Sequence, residues 1–96
     1  MKEHIYLQTL DILDKLWGKD HPTYASSLGA LGLLYESMSN YDKAERYYHQ
    51  ALDIRRRILD RGHPDYVSNL NRLVDLYEKM GDPTKAEQFR SQAGNL

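Results

Sequence analysis

YDKAERYYHQALDIRRRIL, residues 41–59, carries small and large apolar side chains at steps of three, four and seven: Ala44, Tyr47, Tyr48, Ala51, Leu52, Ile58 and Leu59. That spacing predicts a helix with one broad apolar face. Ala44 and Ala51 lie two turns apart, and their small side chains let a neighbouring helix come close. Shifting the sequence by 42 residues lays this stretch over a second copy on either side. Of the 54 positions then compared, 21 are identical, including Glu3/Glu45, Tyr6/Tyr48, Leu31/Leu73, Tyr35/Tyr77 and Ala44/Ala86. The chain thus divides into half a unit (1–20), a full unit (21–62) and a near-complete one (63–96), read together as a single domain.

The rest of each unit supplies the partner helix. Pro22 and Pro64 suit a first helical turn, where the missing N–H costs nothing. Leu28, Leu31, Tyr35 and Met38, repeated as Leu70, Leu73, Tyr77 and Met80, form a stripe at helical spacing. Ser39-Asn40 and Gly81-Asp82-Pro83 are stop and restart signals. Links this short force antiparallel hairpins, and a repeated hairpin covers its second face only by stacking on its neighbour. The expected fold is all-α, an α-solenoid of five helices: residues 2–17, 22–38, 41 to about 60, 64–80 and 83 to about 93. The last helix has Pro83, Arg90 and Gly94 where the central copy has Tyr41, Tyr48 and Leu52, which reads as a terminal cap.

Composition narrows the function by exclusion. A formal charge of −1 is spread as −1, +1 and −1 over the three units, so no segment resembles a nucleic-acid surface. With no cysteine, disulfides, zinc ribbons and thiol nucleophiles are excluded. The first residues hold too many polar side chains for a signal sequence or membrane span, so a cytoplasmic protein is expected by default. His21 and His63 sit beside prolines at helix starts, His4 and His49 lie in mid-helix, and no pair has metal-ligand spacing. No metal and no cofactor is expected. Carboxylates such as Glu36 and Asp42 decorate helix ends without a nucleophile or a phosphate loop, so no catalytic residues and no enzyme activity are expected. Arg55, Arg56 and Arg57 fan out around the helix and suit its C-terminal end. Six of the eight tyrosines occupy repeat-equivalent positions, which marks them as packing residues.

Leu-x-x-Leu-x-x-Leu-Tyr-Glu, preceded by His-Pro, followed by Lys-Ala-Glu and Gln-Ala, and spaced by 42, resembles the tetratricopeptide repeat in its long form, as in kinesin light chains. The resemblance implies a noncatalytic protein–protein interaction module that binds a peptide segment of a partner. The first helix of each unit then lines a concave groove comprising Ser26, Gly29, Leu33, Glu36, Ser37, Ser68, Asn71, Asp75, Glu78 and Lys79. These positions lie off the apolar stripes. The Asn71 amide, both donor and acceptor, suits main-chain recognition, and Asp75, Glu78 and Lys79 suit the reading of charge. The alternative is a structural or self-assembly element of a longer array.

Residues 2–17 are apolar beyond one face. Large side chains left in water there would form a patch that monomers seldom expose. Ile5, Leu7, Ile12, Leu13 and Trp17 are therefore expected to support self-association, most simply a homodimer. A truncated array, its preceding helix removed, would leave the same patch.

Overall fold

The computed structural model describes residues 2–94. Five α-helices run in order: α1 Lys2–Trp17, α2 Pro22–Ser37, α3 Tyr41–Ile58, α4 Pro64–Lys79 and α5 Pro83–Gly94. The caps explain these limits. His21 Nδ1 accepts a bond from the Thr23 amide and His63 Nδ1 from the Asp65 amide, both at 3.1 Å. Each His-Pro pair is thus a side-chain cap followed by a preset first turn. At the other end of each hairpin, Asn40 accepts from the Lys43 amide and Asp82 from the Lys85 amide. α3 ends two residues short of the expected Asp60, because Leu59 is extended at φ −120°, ψ 154°.

The two short links are copies in their main-chain bonds. The Asn40 amide reaches the Tyr35 carbonyl and the Asp82 amide the Tyr77 carbonyl, both at 2.9 Å. Each link needs one residue in the left-handed region, filled by Gly81 at φ 75° in one hairpin and by Ser39 at φ 60° in the other.

Consecutive helices pack on each other, most extensively within the hairpins α2–α3 and α4–α5. The core threads all five helices and is continuous. Ala25, Leu31, Ala44, Tyr48, Ala51, Leu70, Leu73 and Leu76 have no measurable exposure. Ala44 and Ala51 are among them, as their place on the apolar face predicts. Met38 departs from its stripe and is 43% exposed. It is the C-cap of α2, beyond the last helical residue, and sits at the hairpin tip.

Successive hairpins are joined by polar contacts inside this apolar frame. Tyr77 on α4 donates to Glu45 on α3, and His49 Nε2 lies 2.8 Å from the Tyr77 hydroxyl oxygen. Burial, then the Glu45 bond and charge, raises the Tyr77 pKa. Asn69, buried in α4, donates to the Tyr48 carbonyl at 3.2 Å and accepts from Arg55 at 3.0 Å. In the preceding unit junction, α1 on α2, the equivalent positions of His49, Arg55 and Asn69 are Leu7, Leu13 and Ser27, of which Leu13 is buried and Leu7 exposed. Leu13 is buried at 8%, so it belongs to the interior rather than to a self-association face.

Candidate functional site

Two equivalent helices, α2 and α4, lie side by side and present a shared surface. Their residues Leu33, Glu36, Arg72, Asp75, Glu78 and Lys79 line an open depression of about 380 Å³. Leu33 is its apolar element, 42% exposed. Glu36 organises the rest. Its Oε1 accepts from the Tyr48 hydroxyl at 2.7 Å and its Oε2 from Lys79 Nζ at 2.5 Å. Burial alone would raise the Glu36 pKa, but the bonds from Lys79 and Tyr48 outweigh it and hold the carboxyl below its ordinary value. It is therefore an ionised acceptor near neutral pH.

Tyr48 reaches Glu36 from α3 because Gly32 leaves the path open. A Cβ at residue 32 would meet the Tyr48 ring at 2.5 Å. Burial and the bond to Glu36 raise the Tyr48 pKa, which keeps the phenol a donor. On α4, Glu78 takes its bond from Arg90, which also reaches Glu87 at 2.6 Å.

The depression unites Leu33, Glu36, Asp75, Glu78 and Lys79 of the expected groove. The other five lie outside its lining. Ser26 accepts from Arg55 at 3.3 Å, and Ser37 donates to the Leu34 carbonyl at 2.6 Å. Gly29 faces open space, while Ser68 and Asn71 are exposed. Arg72 is the lining residue that sequence reasoning missed. Its signal was its place three residues before Asp75 and seven before Lys79, on one helical face.

Among the described residues, no three His, Cys, Asp or Glu side chains gather as a metal site. No described helix is long and apolar enough to cross a membrane.

The tetratricopeptide repeat family matches residues 3–57 and, overlapping them, residues 32–93. The chain belongs to the tetratricopeptide repeat family. BtubC (BKLC) from P. vanneervenii is a similar solved structure, with TM-score 0.86 and 29% identity over 97% of this chain and 37% of that one. Kinesin light chain nearly identical TPR-like repeats from Podosopora anserina superpose with TM-score 0.82 at 21% identity, over 94% of this chain and 43% of that one. The tetratricopeptide repeats here are thus kinesin-light-chain-like, and the chain spans about two fifths of those structures. A sequence search against curated proteins returns no match. Tetratricopeptide repeats in general mediate protein–protein interaction.

Proposed function

We propose that the chain is a noncatalytic binding module that holds a peptide segment of a protein partner across α2 and α4. The observation that carries this reading is the depression built by Leu33, Glu36, Arg72, Asp75, Glu78 and Lys79, with an apolar side chain beside a ring of both charge signs. Leu33 offers an apolar contact, while Arg72, Asp75 and Lys79 discriminate the charges that flank it. Asn71, exposed beside them, offers an amide to the peptide main chain. The groups with altered acidity in the depression are bonded to one another, as Glu36 is to Tyr48 and Lys79, which is the arrangement of a fixed recognition surface.

Peptides selected from a random library on the whole chain test this. Titration of ¹⁵N-labelled protein should move the amides of Leu33, Asn71, Arg72 and Asp75, and Leu33→Ala with Arg72→Ala should weaken binding at least about tenfold, or about 1.4 kcal/mol. Selected peptides that bind this double variant as well as the wild type, or that move only α1 or α5 amides, refute the groove.

A further inference from the structure

We infer that the segment held between α2 and α4 is a dipolar one, an apolar residue set between an acidic and a basic residue and read by Leu33, Arg72 and Asp75. The inference rests on the groove reading and names the chemistry of its partner. The 42-residue register shows how the two walls of the depression differ. Ala30 and Leu33 on α2 are the equivalents of Arg72 and Asp75 on α4. The same two positions are therefore apolar on one wall and oppositely charged on the other.

The remaining charges of the depression are occupied. Glu36 accepts from Tyr48 and from Lys79, so both of its oxygens have donors. Glu78 accepts from Arg90. Arg72 and Asp75 are both exposed, and among the described residues neither is in an ion pair. They lie three residues apart on α4 and so share one side of the helix. One cation and one anion are thus left for a ligand to meet, with Leu33 facing them from α2.

An extended segment supplies the matching pattern. Its successive side chains point to opposite sides, and those at i and i+2 lie about 6.6 Å apart on one side. Laid between the helices, it turns residue i+1 toward Leu33 and residues i and i+2 toward Arg72 and Asp75. The two helical positions are about 4.5 Å apart along the axis, and the length of the Arg72 side chain takes up the difference. A helical segment, whose near neighbours on one face are three or four residues apart, offers no such alternation. A doubly acidic segment sets a carboxylate against Asp75, and a doubly basic one sets a cation against Arg72. Both juxtapositions cost affinity.

Four synthetic nonapeptides test this, each a Gly/Ser frame with Glu-Leu-Lys, Lys-Leu-Glu, Glu-Leu-Glu or Lys-Leu-Lys at its centre, titrated into the ¹⁵N-labelled whole chain at low ionic strength. One of the two mixed-charge peptides, set by the direction in which the segment runs, should bind at least about fivefold more tightly than either like-charged peptide. The preference should shrink in about 0.5 M salt. Arg72→Glu should transfer it to Lys-Leu-Lys and Asp75→Lys to Glu-Leu-Glu, with circular dichroism unchanged because both positions are exposed. Equal affinity for all four peptides, with the Leu33 amide still moving, overturns this inference and leaves the groove standing. So does a preference that neither charge reversal transfers. Amides of Leu33, Arg72 and Asp75 that move with none of the peptides overturn it together with the groove reading.

Discussion

The two hairpins keep the same contacts at their tips and solve the middle differently. Tyr35 stacks on Tyr47 and Tyr77 on Phe89, each at 5.6 Å between ring centres. Lys43 lies over the Tyr35 ring and Lys85 over the Tyr77 ring. One turn further on, α2–α3 pairs Gly32 with Tyr48, whereas α4–α5 has Val74 and Arg90 at those positions. Tyr48 is wholly buried and bonds Glu36, while Arg90 is exposed and bonds Glu78, the equivalent of Glu36. The carboxylate is thus fixed in both hairpins, by a phenol through the core in one and by a guanidinium over the surface in the other. What is held constant is a donor to the carboxylate, not the residue that supplies it.

The sharpest way to break that comparison is Gly32→Ala, which drives a methyl into the Tyr48 ring. We expect about 3 kcal/mol of destabilisation in urea unfolding, near the upper end for overpacking. Gly32→Val with Tyr48→Arg imports the solution of the other hairpin and should recover at least about half of the loss caused by Gly32→Val. Strict additivity of the two changes would show that residues 32 and 48 do not share one volume.

Next in size is Asn69→Ala, which leaves Arg55 without its buried acceptor. About 2 kcal/mol should be lost. Ser27→Ala, at the same position in the apolar junction of α1 with α2, should cost under about 0.5 kcal/mol. Equal costs at the two sites would erase the distinction between a polar and an apolar junction.

His49 sharpens the same contrast through pH. Burial lowers its pKa below the ordinary 6.5, against the opposing charges of Glu45 and Asp53. The unfolded chain then binds a proton that the folded chain refuses, so His49 lowers stability as pH falls below about 6.5. Glu36, whose pKa is also lowered, loses its contribution at more acid pH, as it protonates below the ordinary carboxyl range. His49→Leu, the residue of α1 at this position, should flatten the dependence of melting temperature on pH between about 6.5 and 5 while leaving the more acid limb in place. An unchanged slope in that interval contradicts the assignment.

The smallest effect expected is at the links. Ser39→Gly relieves a left-handed backbone that its counterpart Gly81 adopts freely. Stability should rise by about 0.5 kcal/mol, the strain relieved less the extra freedom of the unfolded chain, and Gly81→Ser should do the reverse. A loss of stability on Ser39→Gly would mean that the serine has a role the backbone does not reveal.

Much of this architecture was legible because its signals are local. His21, His63, Asn40 and Asp82 announce helix starts within three residues of the amides they cap. The groove was legible as a face but not as a site. Glu36 meets Tyr48 across 12 residues and Lys79 across 43, and nothing near Glu36 in sequence names those partners. α1 shows a different limit. Its apolar residues cover two faces, so hydrophobicity alone did not separate buried Leu13 from exposed Leu16. The register did hold the answer, since Leu16 falls on Ile58 and Leu13 on Arg55. Asn69 escaped notice because its partners are the main chain of Tyr48 and the tip of Arg55, neither of which leaves a pattern.

Glu45 and Tyr77 have a consequence for how such a chain grows. The Glu3 charge, after burial, raises the Tyr35 pKa as Glu45 does that of Tyr77, so the same carboxylate–phenol facing recurs one unit earlier. The full unit 21–62 thus carries Tyr35 toward the unit before it and Glu45 toward the unit after it. A duplicated unit arrives with both halves of its fastener already matched, and stacking needs no new invention at the seam. Each seam then couples only adjacent units, and divergence between copies is free to accumulate on the surfaces that no seam uses.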